Sequence, residues 1–310
     1  MRVFVTGASG WIGSGVVPEL IGAGHQVVGL ARSDASSAVL TAAGAEVHRG
    51  TLDDLDSLRS AAAAADGVIH LAFKLDIAFS GGFQAAADAD RLAVETFGEA
   101  LAGSDRPFVI ASGTLGLALG RVLTERDGHD PEAVAPLVDG AATRVSTAQM
   151  ALSLASLDVR SSVVRLPPTV HGEGDHGFVP TLVGIARDMG ISGYIGDGSN
   201  RWPAVHLLDA AHLIRLALEK APAGSTLHAI ADQGVPIRTI AEVIGRHLDL
   251  PVVAISPEDA GEYFGWLTGF LAADSPASSV LTRELMDWHP VQPGLIADLD
   301  KGHYFRSKYK

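Results

Sequence analysis

The chain has 310 residues, 47% of them hydrophobic and 19% charged, with a formal net charge of -13. That apolar content excludes wholesale disorder, and so acidic a balance repels phosphate backbones, so nucleic acid is not an expected partner. No cysteine is present, which removes disulfides, thiolate nucleophiles and thiolate zinc sites together. The first residues meet a glycine turn at once, without the apolar stretch of a signal peptide. No uncharged apolar run approaches the ~20 residues of a membrane helix. A soluble cytoplasmic protein with no membrane partner is expected.

Short apolar runs alternate with longer helical patterns. A buried strand at 3–5 leads into a helix from Trp11 to about Ala23. A second strand at 27–30 is followed by a helix running to Ala42, with Ser33 as its N-cap. A third strand at 45–48 precedes a helix capped by Asp53 or Asp54, which runs into the alanines at 61–65. Then come a strand at 68–71, a long helix at 83–102 and a strand at 108–111. This rhythm predicts a parallel sheet with right-handed crossovers. Residues 113–139 read as a loop, 141–157 as a helix and 162–166 as a strand. Helices are expected near 179–188, 209–220, 237–248, 257–271 and 279–286, with Gly- and Pro-rich loops between them.

The strongest local signal is Thr6-Gly7-Ala8-Ser9-Gly10-Trp11-Ile12-Gly13, lying between the first strand and the first helix. Gly7 permits the turn, Gly10 leaves room for a pyrophosphate and Gly13 lets the helix approach the sheet. The helix N-terminus offers N–H groups and a partial positive charge to the phosphates. A dinucleotide site therefore opens the chain. Where NAD sites commonly carry an acidic residue at the end of the second strand, this sequence has Arg32-Ser33. A guanidinium grips a 2′-phosphate and Ser33 adds a donor, so NADP(H) is expected ahead of NAD(H), although Asp34 lies close by.

These residues resemble the extended and atypical short-chain dehydrogenase/reductases, the NAD-dependent epimerase/dehydratase-like group. The matching stretches are TGASGWIG (6–13), LDD (52–54), VIHLA (68–72), ASGT (111–114), VVRLPPTVHGEGD (163–175) and GDGSNRWPAVHLLDAA (196–211). The resemblance implies an α/β, Rossmann-type doubly wound parallel sheet over 1–166 and 204–231. A smaller, discontinuous substrate-binding domain would be built from 167–203 and 232–310. It also implies that Leu52 and Asp53 lie by the adenine, and that Leu71, Ala72 and Phe73 lie on the nicotinamide-ribose side. Pro168, Thr169 and Val170 would sit near the carboxamide, with Ser9, Trp11 and Ile12 in the phosphate turn. A homodimer through the helices near 83–102 and 141–157 is typical of such relatives.

Relatives that transfer hydride usually carry Tyr-x-x-x-Lys on the helix after the fifth strand, on one helix face. Here those positions fall on Thr143 and Thr147, and the chain has no tyrosine or lysine between Lys74 and Tyr194. A threonine hydroxyl is too weak an acid to stand in for an activated tyrosine. Tyr304 and Lys308 match the motif's spacing, but at the far end of the chain, where the match reads as chance in a polar tail. The remaining candidates are Ser112 and Thr114 after the fifth strand, Arg144, which could hold an anion or polarise an oxygen, and His171. His171 stands where relatives often have tyrosine, and a histidine can serve as a general acid; it is the preferred proton donor. Lys74, His176 and Trp202 are candidate substrate contacts. The run from His171 to His176 has donors but no familiar metal spacing, so no metal is expected.

The expectation is an NADP(H)-dependent oxidoreductase acting on a carbonyl or alcohol of a small organic molecule, with a non-standard proton donor. Two alternatives stand beside it. One is an NADP(H)-binding regulator or interaction module without turnover. The other is a sugar-nucleotide epimerase or dehydratase, weakened by the missing tyrosine. An open, polar pocket would favour an enzyme, and one filled by side chains a binder.

Overall fold

The computed structural model describes residues 1–137 and 140–306, the side chain of Phe79 aside. The chain begins β1 (Arg2–Thr6), α1 (Trp11–Gly22), β2 (Gln26–Ala31), α2 (Asp34–Ala42), β3 (Glu46–Arg49), α3 (Leu55–Ala63) and β4 (Gly67–His70). It continues through α4 (Leu75–Ile77), α5 (Phe83–Leu101), β5 (Pro107–Gly113), α6 (Ala141–Ser153) and β6 (Arg160–Leu166). Among the described residues these strands and a later one, β10, form a seven-stranded sheet in the order β10-β6-β5-β4-β1-β2-β3. All its pairings are parallel. Strands such as β1 and β4 are buried throughout or nearly so, as a parallel sheet covered on both faces requires. The chain builds outward from β1 to β3, then returns to the other side of β1 with β4. That reversal opens a crevice at the carboxyl ends of β1 and β4.

One face of this sheet is covered by α1 and a later helix through Val16, Val17, Leu20, Leu213 and Ile214. The other face is covered by α3, α5 and α6 through Leu58, Phe97, Leu101, Ala148 and Ala151. Phe97 meets Phe4, Phe108 and His70 edge-on; burying a side chain of that kind contributes about 2–3 kcal/mol. Ser33 caps α2 by accepting the Ser36 N–H, and Asp54 caps α3 by accepting the Ser57 N–H. The helix expected over 141–157 ends at Ser153. Its last four residues tighten into a 3-10 turn that closes on Asp158 in the left-handed conformation.

Beyond β6 lie β7 (Thr169–His171), α7 (Phe178–Met189), β8 (Ser192–Ile195), β9 (Arg201–His206), α8 (Leu207–Lys220), β10 (Ser225–His228) and β11 (Asp232–Pro236). Then come α9 (Ile237–Leu248), β12 (Val252–Ile255), α10 (Ala260–Phe264), α11 (Thr268–Leu271), α12 (Val280–Met286) and α13 (Leu295–Leu299). A three-stranded sheet β11-β9-β7 and a parallel pair β12-β8 share a second core around Trp202, Val183, Ile240, Leu267 and Tyr304. None of these strands, β10 included, has a counterpart among the elements expected from the sequence. Each is short, and β8 pairs with β12 from some 60 positions away, so no local pattern announces them. The helix expected at 257–271 is broken in three, because Gly265 takes φ +56 between α10 and the next turn. No described helix is long and apolar enough to cross a membrane.

Candidate active site

The glycine turn is fixed by backbone geometry. Gly7 has φ +68, and a Cβ there would lie 2.7 Å from the Ala72 nitrogen. A Cβ on Gly13 would lie 2.3 Å from the Ala8 oxygen and 2.4 Å from the Gly7 oxygen. These neighbours are backbone and cannot swing aside. Gly10 is exposed and is the N-cap of α1, with no side chain capping the first turn and no acidic residue in it. Its N–H groups are thus left for an anion. Ser9 is half-buried beside it. Ile12 packs on the first core, and Trp11 donates its Nε1–H to the Val170 carbonyl at 2.8 Å. The turn is therefore tied to β7, and in the loop after it His176 stands edge-on to Trp11. Thr169 is buried, and its Oγ1 has no hydrogen-bond partner; Pro168 precedes it, half-buried. A cradle that a Cβ would fill and an orphaned hydroxyl nearby both fit a dinucleotide diphosphate and the amide end of such a ligand.

At the far edge, Arg32 reaches Asp76 at 3.0 Å, both exposed. The hydrogen bond from Arg32 holds the Asp76 carboxyl below its ordinary range. Lys74 reaches Asp53 at 2.5 Å. Lys74 is thus paired with Asp53, and Leu52 is buried. The Ser33 hydroxyl accepts the Ser36 N–H in its capping box.

The carboxyl ends of β4 and β5 carry a different arrangement. Thr6 Oγ1 lies 2.6 Å from His70 Nδ1, His70 Nε2 lies 3.2 Å from Asp90 Oδ1, and Arg144 Nη1 donates to Asp90 Oδ2 at 2.5 Å. Thr6 Oγ1 also accepts the Ala72 N–H at 3.3 Å. An ionised Asp90 only accepts, so the His70 Nε2–H goes to it, and in the neutral ring the bare Nδ1 accepts the Thr6 hydroxyl proton. Burial raises the Asp90 carboxyl, but the Arg144 charge and the His70 hydrogen bond outweigh it and hold it below its ordinary value. Arg144 further donates to the Ala111 carbonyl at 3.1 Å and lies 4.6 Å over the Phe73 ring.

Arg144 opens on a cavity of about 180 Å³ whose other walls include Ser112, Phe83, Leu115, Leu137 and Phe270. Leu71 and Ala72 are half-buried at the end of β4. Thr114, expected to orient a carbonyl, is fully buried with its hydroxyl turned to the Leu166 carbonyl, which corrects that assignment. Thr143 Oγ1 is held by Gln84 and Thr147 Oγ1 by the Thr143 carbonyl, so neither replaces the missing pair. Asp90 and His70 were not singled out in the sequence. The signal was there: Asp90 shares the buried face of α5 with Ala86, Ala87, Val94 and Phe97, where a carboxylate demands a partner.

His171 is the main correction. It has no exposed surface, and its Nδ1 pairs with Asp298 Oδ2 at 3.0 Å. It stands edge-on to His206, whose basicity is lowered by burial and then by His171. Burial raises Asp298, but the hydrogen bond and charge of His171 outweigh it. No substrate reaches His171 there. Tyr304 is not in a polar tail either. It is fully buried, its hydroxyl accepts the Gly172 N–H and donates to Asp175 Oδ2, both at 3.0 Å, and burial pushes its pKa up. That is the reverse of an activated tyrosine; Ser307 and Lys308 of the same match lie outside the described residues. Burial pushes Asp175 up to about 6. Trp202 is fully buried in the second core, its Nε1–H donated to the Phe270 carbonyl, so it does not wall the cavity. Among the described residues no three His, Asp or Glu side chains group as a metal site.

A family model described as the NAD dependent epimerase/dehydratase family matches residues 3–230, and the chain belongs to this family. It is 47% identical to "Uncharacterized protein C2A9.02" of Schizosaccharomyces pombe, over 98% of this chain and 100% of that one. It is 29% identical to a "2-alkyl-3-oxoalkanoate reductase" of Stenotrophomonas maltophilia, over 94% of this chain and 92% of the relative. Among solved structures, it is similar in fold to DesIV, a dTDP-glucose 4,6-dehydratase from Streptomyces venezuelae with NAD and TYD bound. That likeness has a TM-score of 0.76 at 20% identity, covering 99% of this chain and 98% of the other.

Proposed function

We propose that the protein is an NADP(H)-dependent oxidoreductase acting on a carbonyl or alcohol of a small organic molecule. The observation that carries this reading is the cavity of about 180 Å³ at the carboxyl end of β5, where Ser112 and Arg144 are set among apolar walls. The glycine cradle fits a dinucleotide, and Arg32 at the end of β2 supports the phosphorylated form, with Asp76 giving up its ion pair to the 2′-phosphate. A reduced nicotinamide would supply the hydride. The chain's own part is to hold the substrate oxygen. Arg144 N–H groups and Ser112 Oγ–H donate to it, and the proton it keeps arrives from water through Ser112 Oγ. Apolar walls from Phe83, Leu115 and Phe270 exclude bulk water and orient the carbon.

The test is oxidation of NADPH with a panel of ketones and aldehydes, with sugar nucleotides in parallel. Turnover of the small carbonyl compounds is expected. Tight NADPH binding with no turnover on any of them would establish the regulator reading, which the positions of Thr143 and Thr147 favour. Turnover of sugar nucleotides alone would establish the epimerase or dehydratase reading. The cavity is open, as an enzyme's should be, but its walls are mainly apolar rather than polar.

A further inference from the structure

The Arg144 charge at the cavity is already answered. Asp90 is 2% exposed and pairs with Arg144, whose side chain is 20% exposed. His70 holds the other carboxylate oxygen, and Thr6 fixes His70. The pair is electrically neutral and locked from behind. A guanidinium has five N–H groups. Two hydrogen bonds, to Asp90 and to the Ala111 carbonyl, engage it, so donors remain for a ligand oxygen. Among the described residues lining the cavity, Arg144 is the one charge. A ligand carboxylate entering there would meet a cation whose field Asp90 cancels and would lose its hydration among Phe83, Leu115, Leu117, Val134 and Phe270. A neutral carbonyl oxygen needs only the hydrogen bond and loses far less hydration.

We propose that this cavity selects uncharged carbonyl compounds carrying a single ring or a short branched chain, and that Asp90 is the residue that enforces the exclusion of anions by neutralising Arg144. The size follows from the volume: an apolar cavity of ~150 Å³ holds a benzene-sized ligand, and this one is about 180 Å³. His70 and Thr6 are positioning residues, since they act through Asp90. The proposal rests on reading this cavity as the substrate site of the oxidoreductase. It adds a charge rule and the residue that sets it.

The experiment measures binding, so that it does not depend on turnover. Benzamide and benzoate, equal in shape and different in charge, are titrated calorimetrically into the NADP+-saturated protein. The native chain is expected to prefer benzamide by about tenfold, and Asp90→Asn to abolish the preference by strengthening benzoate about tenfold. The double variant Asp90→Asn, Arg144→Gln removes both charges. It keeps the proposal testable if Asp90→Asn alone fails to fold, and it is expected to exclude benzoate again. A native chain that binds benzoate as well as benzamide overturns the proposal. So does an Asp90→Asn chain with an unchanged ratio, or a folded double variant that retains tight benzoate binding. If the ratios behave as expected while no aldehyde oxidises NADPH, the charge rule stands and the oxidoreductase reading falls. If NADPH is consumed with 2-oxo acids as readily as with neutral aldehydes, the oxidoreductase reading stands and the charge rule falls.

Discussion

Two buried polar groups in this molecule share a histidine–aspartate contact. The first, Thr6–His70–Asp90–Arg144, crosses the large sheet's carboxyl edge. The second joins His171 to Asp298 and Tyr304 to Asp175 and Gly172, tying the segment around α13 to the loop after β7. Both contain a histidine against an aspartate. Only the first ends at a void, with a guanidinium partly open to it; the second closes on itself, with His171 and Tyr304 fully buried. A histidine–carboxylate contact therefore says little about catalysis. The decisive feature is whether the last donor in the chain of contacts faces space that a ligand can enter.

That contrast can be tested from both sides. The largest effect is expected at the turn that serves the first group. Gly13→Ala drives a Cβ into the Ala8 and Gly7 carbonyls, and dinucleotide binding by calorimetry should weaken by about 100-fold or more, since overpacking against backbone costs about 1–3 kcal/mol or more. The second group should respond in stability alone. Tyr304→Phe leaves the Gly172 N–H and the Asp175 carboxyl without their partner. At about 1–3 kcal/mol for each buried unpaired group, urea unfolding should show a loss of about 3 kcal/mol, with the turnover number of the folded fraction little changed. A turnover number that collapses while stability holds would reverse the roles of the two groups.

A smaller effect comes from Asp175, which burial pushes up to about 6. Its folded form keeps a proton that the unfolded chain has released, so this site favours the fold below the ordinary aspartate range, and the advantage is lost as pH rises toward about 6. Asp175→Asn has no such loss. Its unfolding free energy relative to the native chain should rise by on the order of 2 kcal/mol between pH 4 and pH 7 and then level off; a difference independent of pH would remove the assignment. The smallest effect lies at the exposed edge. Arg32→Ala should weaken NADP+ by about tenfold and leave NAD+ nearly unchanged, because Arg32 is held there only by an exposed contact with Asp76. Equal losses for both coenzymes would count against a 2′-phosphate contact.

The large sheet was legible because its signals are local. β1, α1 and β2 follow from apolar runs and a glycine turn, and Ser33 caps α2 as its position suggests. The smaller sheets were not, since β8 finds β12 far along the chain. Nor was the polar chain at the carboxyl ends of β4 and β5. His171 looked like a proton donor in a loop and is sealed against Asp298 at the end of β7, whereas Asp90 looked like one more polar residue of a long helix.

The sequence by itself determined the order of strands and helices through β6, the glycine turn between β1 and α1 and the absence of the tyrosine–lysine pair, because each is written within a few consecutive residues. Tertiary structure alone decided which polar side chains meet. Arg144 and Asp90 are 54 positions apart, His171 and Asp298 127, Tyr304 and Asp175 129. Periodicity tells which face of an element is buried; only packing those faces together tells whether a buried charge is sealed or looks into a cavity.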